Sequence, residues 1–95
     1  MTTVSAVAEV MDRLAPLSSQ MEWDNSGLLV GDPAGEVTKI LVALDATLEV
    51  IGEAEELGAE MIVTHHPVIF HPVKRFLAGD PAYEAAVRGM AVYSA

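Results

Sequence analysis

The sequence contains no cysteine. That absence excludes disulfides, thiolate-held zinc and a cysteine nucleophile, and it leaves His, Asp, Glu and water as the ligands for any metal. Basic residues are also scarce: 5 Lys and Arg stand against 14 Asp and Glu, for a formal net charge of −9. Nucleic-acid backbones and anionic membranes are gripped by clustered Lys and Arg, and the only basic cluster is Lys74–Arg75. Neither is an expected partner. No apolar run approaches the ~20 residues that a membrane helix requires. Met1 to Ser5 bring no basic region, and Glu9 and Asp12 interrupt the apolar stretch that follows, so the N-terminus does not read as a signal peptide. A cytoplasmic, soluble protein is expected.

Two further chemistries lack their residues. Gly27, Gly31 and Gly35 form neither the dinucleotide nor the Walker pattern, whose glycines sit between a strand and a helix N-terminus. Ser5, Ser18, Ser19, Ser26 and Ser94 have no nucleophile-elbow context. There is no internal repeat, low-complexity tract or linker.

What is present is apolar. The chain has 95 residues, of which 52% are hydrophobic and 20% charged, and its mean hydropathy is +0.36. This length supports one domain at most and buries only about 60–65% of its unfolded surface. So much apolar matter exceeds what a small solvated monomer needs, which points to a subunit interface or to a larger parent domain.

The periodicities order the chain. Val4, Val7, Val10, Met11 and Leu14 trace a helical stripe, with Thr3 as its cap and Pro16 as its stop. Gly27–Gly31 reads as a short strand and Asp32–Gly35 as a turn. Val37–Leu44 reads as a strand. Its centre, Ile40–Leu44, is apolar without alternation, as for a strand covered on both faces. Thr47 opens a second helix with the stripe Val50, Ile51, Ala54 and Leu57, closed by Gly58. Glu53, Glu55, Glu56 and Glu60 read as its solvated face. Met61–Thr64 is a buried strand. Asp80–Pro81 starts a third helix running to about Arg88, and Met90–Tyr93 begins a further strand. This alternation predicts an α/β fold of βαβ type, with a mostly parallel sheet flanked by helices. The whole of 1–95 is read as a single partial domain, the N-terminal lobe of a larger α/β protein cut inside a strand near residue 95. Such a cut is expected to leave an unpaired edge, an exposed apolar patch and a tendency to self-associate.

The densest chemistry is Thr64-His65-His66-Pro67, at the C-terminal end of a buried strand, where parallel α/β sheets bind ligands. Pro67 keeps His66 out of the helical region. Adjacent side chains on an extended segment point to opposite sides, so two imidazoles there do not chelate one ion. Two readings stay open: one ligand to each of two metals ~3.5–4 Å apart, or two histidines that only hydrogen-bond near a strand end. Asp45 and Thr47 lie on the same rim. Asp45 either orients a ligand histidine or caps the following helix. His71 sits in a loop between Phe70 and Pro72 and is more simply a surface residue than a ligand. Trp23 reads as a core or interface anchor, and Asp24–Asn25 as a turn with side-chain-to-backbone bonds.

Three segments together, Trp23–Asp32, Val42–Thr47 and Ile62–Phe70, resemble the Nif-three-like family, in full NGG-one-interacting factor three, whose bacterial members are labelled homologues of a type 2 GTP cyclohydrolase I. The resemblance covers nearly the whole chain in order. It implies a dinuclear metal centre between α/β lobes, two divalent ions per subunit (zinc, iron or manganese) and a ring-like homohexamer. It matches His65 and His66 to the family's paired histidine ligands; Asp45, Thr47 and Thr64, at the same strand ends, are read from their positions as candidates for the rim or for orienting a ligand. The family's next ligand motif, His-Thr followed by an Asp, comes after the segment matched by Val92–Ser94, and its remaining His and Glu ligands lie far downstream. His71 matches no family ligand. The implied activity is metal-dependent hydrolysis of a nucleotide or phosphoester. The alternatives are a non-catalytic metal-handling assembly protein and, for these 95 residues alone, an inactive piece with a half-built site.

Overall fold

Met61, Ile62, Val63 and Thr64 carry no charge and no alternation, and all four are buried. They form a central strand of a four-stranded sheet in the computed structural model, which describes residues 2–15, 25–69 and 74–95. In chain order the elements are α1 (Val4–Leu14), β1 (Gly27–Val30), β2 (Ile40–Ala43), α2 (Leu48–Leu57), β3 (Met61–Thr64), α3 (Pro81–Val87) and β4 (Ala91–Ser94). The sheet order is β1-β4-β3-β2.

Pairing is mixed. β2, β3 and β4 run parallel, each pair joined through a helix, with Ile40 opposite Met61 and Met61 opposite Ala91. β1 runs antiparallel to β4, and its register shifts between Leu28 and Val30. The mostly parallel sheet predicted from the alternation is therefore present, with one antiparallel edge. The last strand is not an open edge: β4 is hydrogen-bonded on both sides, and the edges are β1 and β2.

Helices cover both faces. On one face Ile62 and Val92 pack with Ile51 and Ala54 of α2 and Ala85 of α3. On the other, Met61, Val63, Ala91 and Tyr93 pack with Val4 and Val37, supported by Val7, Ala8 and Met11 of α1. Local chemistry sets the helix ends. The Thr3 hydroxyl accepts from the Ala6 amide, and the Thr47 hydroxyl from the Val50 amide. Gly58 closes α2 in the left-handed region at φ 77°, donating back to Ala54 and Glu55. Gly31 is required for a different reason. Its φ is +121°, and a Cβ there would lie 2.8 Å from both Cα and Cβ of Ala91.

Four sequence expectations change. β2 is not covered on both faces: Val42 is 75% exposed and Leu44 60%, while Leu41 packs inward. As an edge strand it meets α2 on one side only, and its exposed apolar row is the surface patch expected above, placed on β2 rather than β4. On α1 the packed face is Val4, Val7, Ala8 and Met11, while Val10 and Leu14 are exposed. Glu60 does not belong to the solvated face of α2. It precedes β3, and its carboxylate accepts from the Thr38 and Lys39 amides at 2.8 and 3.0 Å. Those two bonds, Thr38 first, hold its pKa below the ordinary glutamate value. Finally, Asn25 makes a side-chain-to-backbone bond as expected, but a long-range one. Its side-chain amide donates to the Ile69 carbonyl at 2.5 Å, tying the entry of β1 to the segment after the histidines. Trp23, Asp24 and His71 lie outside the described residues.

Candidate metal centre

Parallel strands β2 and β3 end side by side, with Ala43 paired to Thr64. The sheet ladder continues past both ends. The His66 amide donates to the Leu44 carbonyl at 3.0 Å, and the Ala95 amide donates to the Thr64 carbonyl at 2.8 Å. The backbone bends at residues 65 and 66 rather than staying extended. Side-chain hydroxyls hold that bend: Thr64 Oγ1 donates to the His66 carbonyl at 2.7 Å, and Ser94 Oγ donates to the His65 carbonyl at 3.3 Å. The chain thus leaves the sheet with three consecutive residues fixed from both neighbouring strands.

The bend overturns the expectation that the two rings point apart. Their centroids lie 5.1 Å from one another, tilted by 48°. Strict extended geometry would have sent them to opposite faces of the sheet. The turn made by Thr64 brings both to the same rim instead. Thr64 itself is 2% exposed and Ser94 1%, so the hydroxyls that shape the turn are buried while the imidazoles they present are exposed.

Asp45 joins them from the end of β2. Its Oδ1 lies 2.8 Å from Nδ1 of His66, and the two side chains are 53% and 54% exposed. Of the two roles open to Asp45 in the sequence, the geometry favours the one facing histidine. The cap of α2 is Thr47, whose hydroxyl accepts from the Val50 amide at 3.2 Å. At this exposure the contact between the two side chains contributes little to stability, on the order of 0–1 kcal/mol.

Imidazole nitrogens beside an orienting carboxylate are the donor chemistry of zinc, iron and manganese sites. His65 and His66 therefore fit a first-row divalent metal ion in kind. They do not complete a shell, because no group of three or more His, Asp or Glu residues with metal-binding geometry occurs among the described residues. Thr47 and Thr64, read in the sequence as rim residues, are engaged in the α2 cap and in the His66 turn respectively. Sequence reading named Ser94 and Asn25 but missed the bonds they make here. The first could have been found from its place at the end of β4, next to Thr64 in register. The second bonds across 44 residues and leaves no local signal.

Known proteins share both sequence and fold. A GTP cyclohydrolase 1 type 2 homolog of Clostridium perfringens is 50% identical over 64 residues, covering 67% of this chain and 24% of that protein. GTP cyclohydrolase 1 type 2 of Helicobacter pylori is 43% identical over 83 residues, covering 87% of this chain and 32% of that protein. The crystal structure of Staphylococcus aureus protein SA1388 superposes with a TM-score of 0.93 at 36% identity, over 98% of this chain and 31% of its own. The chain thus spans about a quarter to a third of the length of these proteins. The family model for Duf34/NIF3 (NGG1p interacting factor 3) matches residues 2–95, and the chain belongs to that family.

Proposed function

We propose that His65 and His66 bind divalent metal, as part of a dinuclear centre that a longer protein carrying this segment completes with ligands from elsewhere. The observation that carries this reading is the pair of exposed imidazoles at the carboxyl end of a buried strand, 5.1 Å apart and aimed at one rim by buried hydroxyls. A bound divalent ion would supply Lewis acidity and lower the pKa of a coordinated water. The chain's own residues hold the donors in place. Thr64 and Ser94 fix the turn, Asp45 holds one ring, and the exposed rim lets a substrate approach from solvent. The name shared by the relatives supports hydrolysis of a nucleotide ring or phosphoester of GTP cyclohydrolase type. An acidic chain of net charge −9 repels such a polyanion, so the attraction has to come from the metals. We place this activity in a cytoplasmic homo-oligomer, a hexamer for the longer protein.

A second reading is a non-catalytic metal-handling assembly protein. It is favoured by the incomplete ligand set among the described residues. Calorimetric titration separates the two. Zinc or manganese is expected to bind the 95-residue protein weakly, and binding is lost in the His65→Ala/His66→Ala double variant. Equal binding by both proteins would place the site elsewhere. Metal-dependent turnover of GTP by a longer protein carrying this segment, abolished by the same substitutions, supports the hydrolase. Tight metal binding without nucleotide affinity supports the metal-handling role.

A further inference from the structure

His66 differs from His65 in how its ring is held. Its backbone amide donates to Leu44 at 3.0 Å, its carbonyl accepts from Thr64 at 2.7 Å, and its Nδ1 meets Asp45 Oδ1 at 2.8 Å. The His65 ring has no hydrogen bond among the described residues, only the tilted contact with His66. An ionised carboxylate is an acceptor without a proton to give. A 2.8 Å contact between it and Nδ1 therefore requires the proton to sit on Nδ1. In the neutral ring that leaves the lone pair on Nε2, at the opposite edge and away from Asp45. A free imidazole prefers the other tautomer, with its proton on Nε2 and no lone pair there.

We propose that Asp45 is a positioning residue: it holds His66 in the Nδ1–H tautomer and so presents Nε2 as the outward donor, already set before any ligand arrives. His65, without such a partner, adjusts to what His66 has bound. The step from an outward lone pair to a metal rests on the reading in the preceding section, but the tautomer itself does not. The arrangement is built from two strand ends. Asp45 and His66 are 21 residues apart in sequence, and the parallel register of β2 and β3 makes them neighbours. Second-sphere carboxylates of this kind fix ring orientation and typically contribute about 10–100-fold in metal affinity.

The test is imidazole-nitrogen NMR on the 15N-labelled protein, without metal, at about pH 8.5, where an ordinary imidazole with a pKa near 6.5 is neutral. The His66 nitrogens are assigned by their disappearance in His66→Gln. The expected spectrum has a protonated Nδ1 and a bare Nε2. In Asp45→Ala the population should swing to Nε2–H, with backbone amide signals outside the site unchanged because the Asp45 side chain is 53% exposed. Asp45→Asn keeps the shape, and its amide can face either tautomer, so its ratio should fall between the two. It also serves if the alanine variant folds poorly. A wild-type His66 that is predominantly Nε2–H, or a ratio unmoved by both substitutions, overturns the proposal. Zinc titration adds a second readout. Asp45→Ala should weaken binding about 10–100-fold with both histidines intact. If wild type takes up no zinc, the metal reading falls, and the nitrogen spectra alone decide the role of Asp45.

Discussion

Replacing Tyr93 with Phe should stabilise the protein. Tyr93 is 1% exposed on the α1 face of the sheet, and its hydroxyl has no hydrogen-bond partner among the described residues. The residue lines a cavity of about 280 Å³ shared with Ser5, Ala8, Glu9, Asp12 and Leu28. A buried hydroxyl without a partner costs about 1–3 kcal/mol. Phenylalanine removes that cost and keeps the ring that pairs with Leu28 across β1 and β4. A gain of about 1 kcal/mol is expected, at the low end of the range because the cavity gives water a route toward the hydroxyl. In a domain of this size that corresponds to a rise of roughly 4–8 °C in Tm. Urea unfolding should show a higher midpoint with an unchanged slope. The pH dependence supplies an independent sign. Burial first, and the Asp12 carboxylate second, raise the Tyr93 pKa above 10.0. The folded state therefore holds the phenolic proton more tightly than the unfolded chain. Its contribution is complete below the ordinary value and is lost as pH rises through the raised one. The advantage of Tyr93→Phe should accordingly widen between about pH 8 and about pH 11, on either side of the ordinary tyrosine value. A variant that is destabilised by about 1 kcal/mol or more would show that the hydroxyl is bonded in solution. A difference independent of pH would show that the phenol is not desolvated.

Other outcomes follow from the fold. Gly31→Ala should destabilise by about 2 kcal/mol or more, from positive φ together with the 2.8 Å approach to Ala91; a near-neutral effect in chemical denaturation would mean that β1 shifts freely. Val42→Lys should change stability by less than about 0.5 kcal/mol, because the side chain is 75% exposed, yet reduce self-association in sedimentation by placing a charge in the open apolar row of β2. An unchanged sedimentation profile would remove that row from any contact between copies. Glu60→Gln should flatten the acid limb of stability. The lowered pKa of Glu60 means that its contribution is present above the ordinary value of 4.5 and is lost as pH falls through the lowered one. Wild type and variant should therefore differ at neutral pH and converge in acid, as read from urea midpoints.

The elements written in local chemistry were legible in the sequence. Thr47 and Gly58 bound α2 because a hydroxyl cap and a left-handed glycine act on their own turn. The buried run Met61–Thr64 announced the central strand for the same reason. What depended on neighbours was not legible. Ile40–Leu44 is as apolar as β3, and only its place at the edge leaves Val42 and Leu44 exposed. The antiparallel direction of β1 has no trace in its residues, since pairing sense is decided by where the chain re-enters the sheet. The histidine pair was visible as chemistry, but its geometry was not. The reading of an extended His65–His66 failed because a hydroxyl from Thr64 and another from the end of β4 turn the backbone. Asp45 was visible as one of two roles, and the choice between them needed the strand register.

The contact between Asp45 and His66 has a consequence for folding. It joins the end of β2 to the end of β3 across the whole α2 crossover, and it can close only when those strands are aligned in parallel. A slip of the pairing by one residue would carry His66 away from the end of β2 and leave the carboxylate without it. Non-local parallel pairing of this kind is slow compared with forming α2 itself. On the role proposed for Asp45, the His66 tautomer would report the arrival of the correct register rather than the appearance of helix.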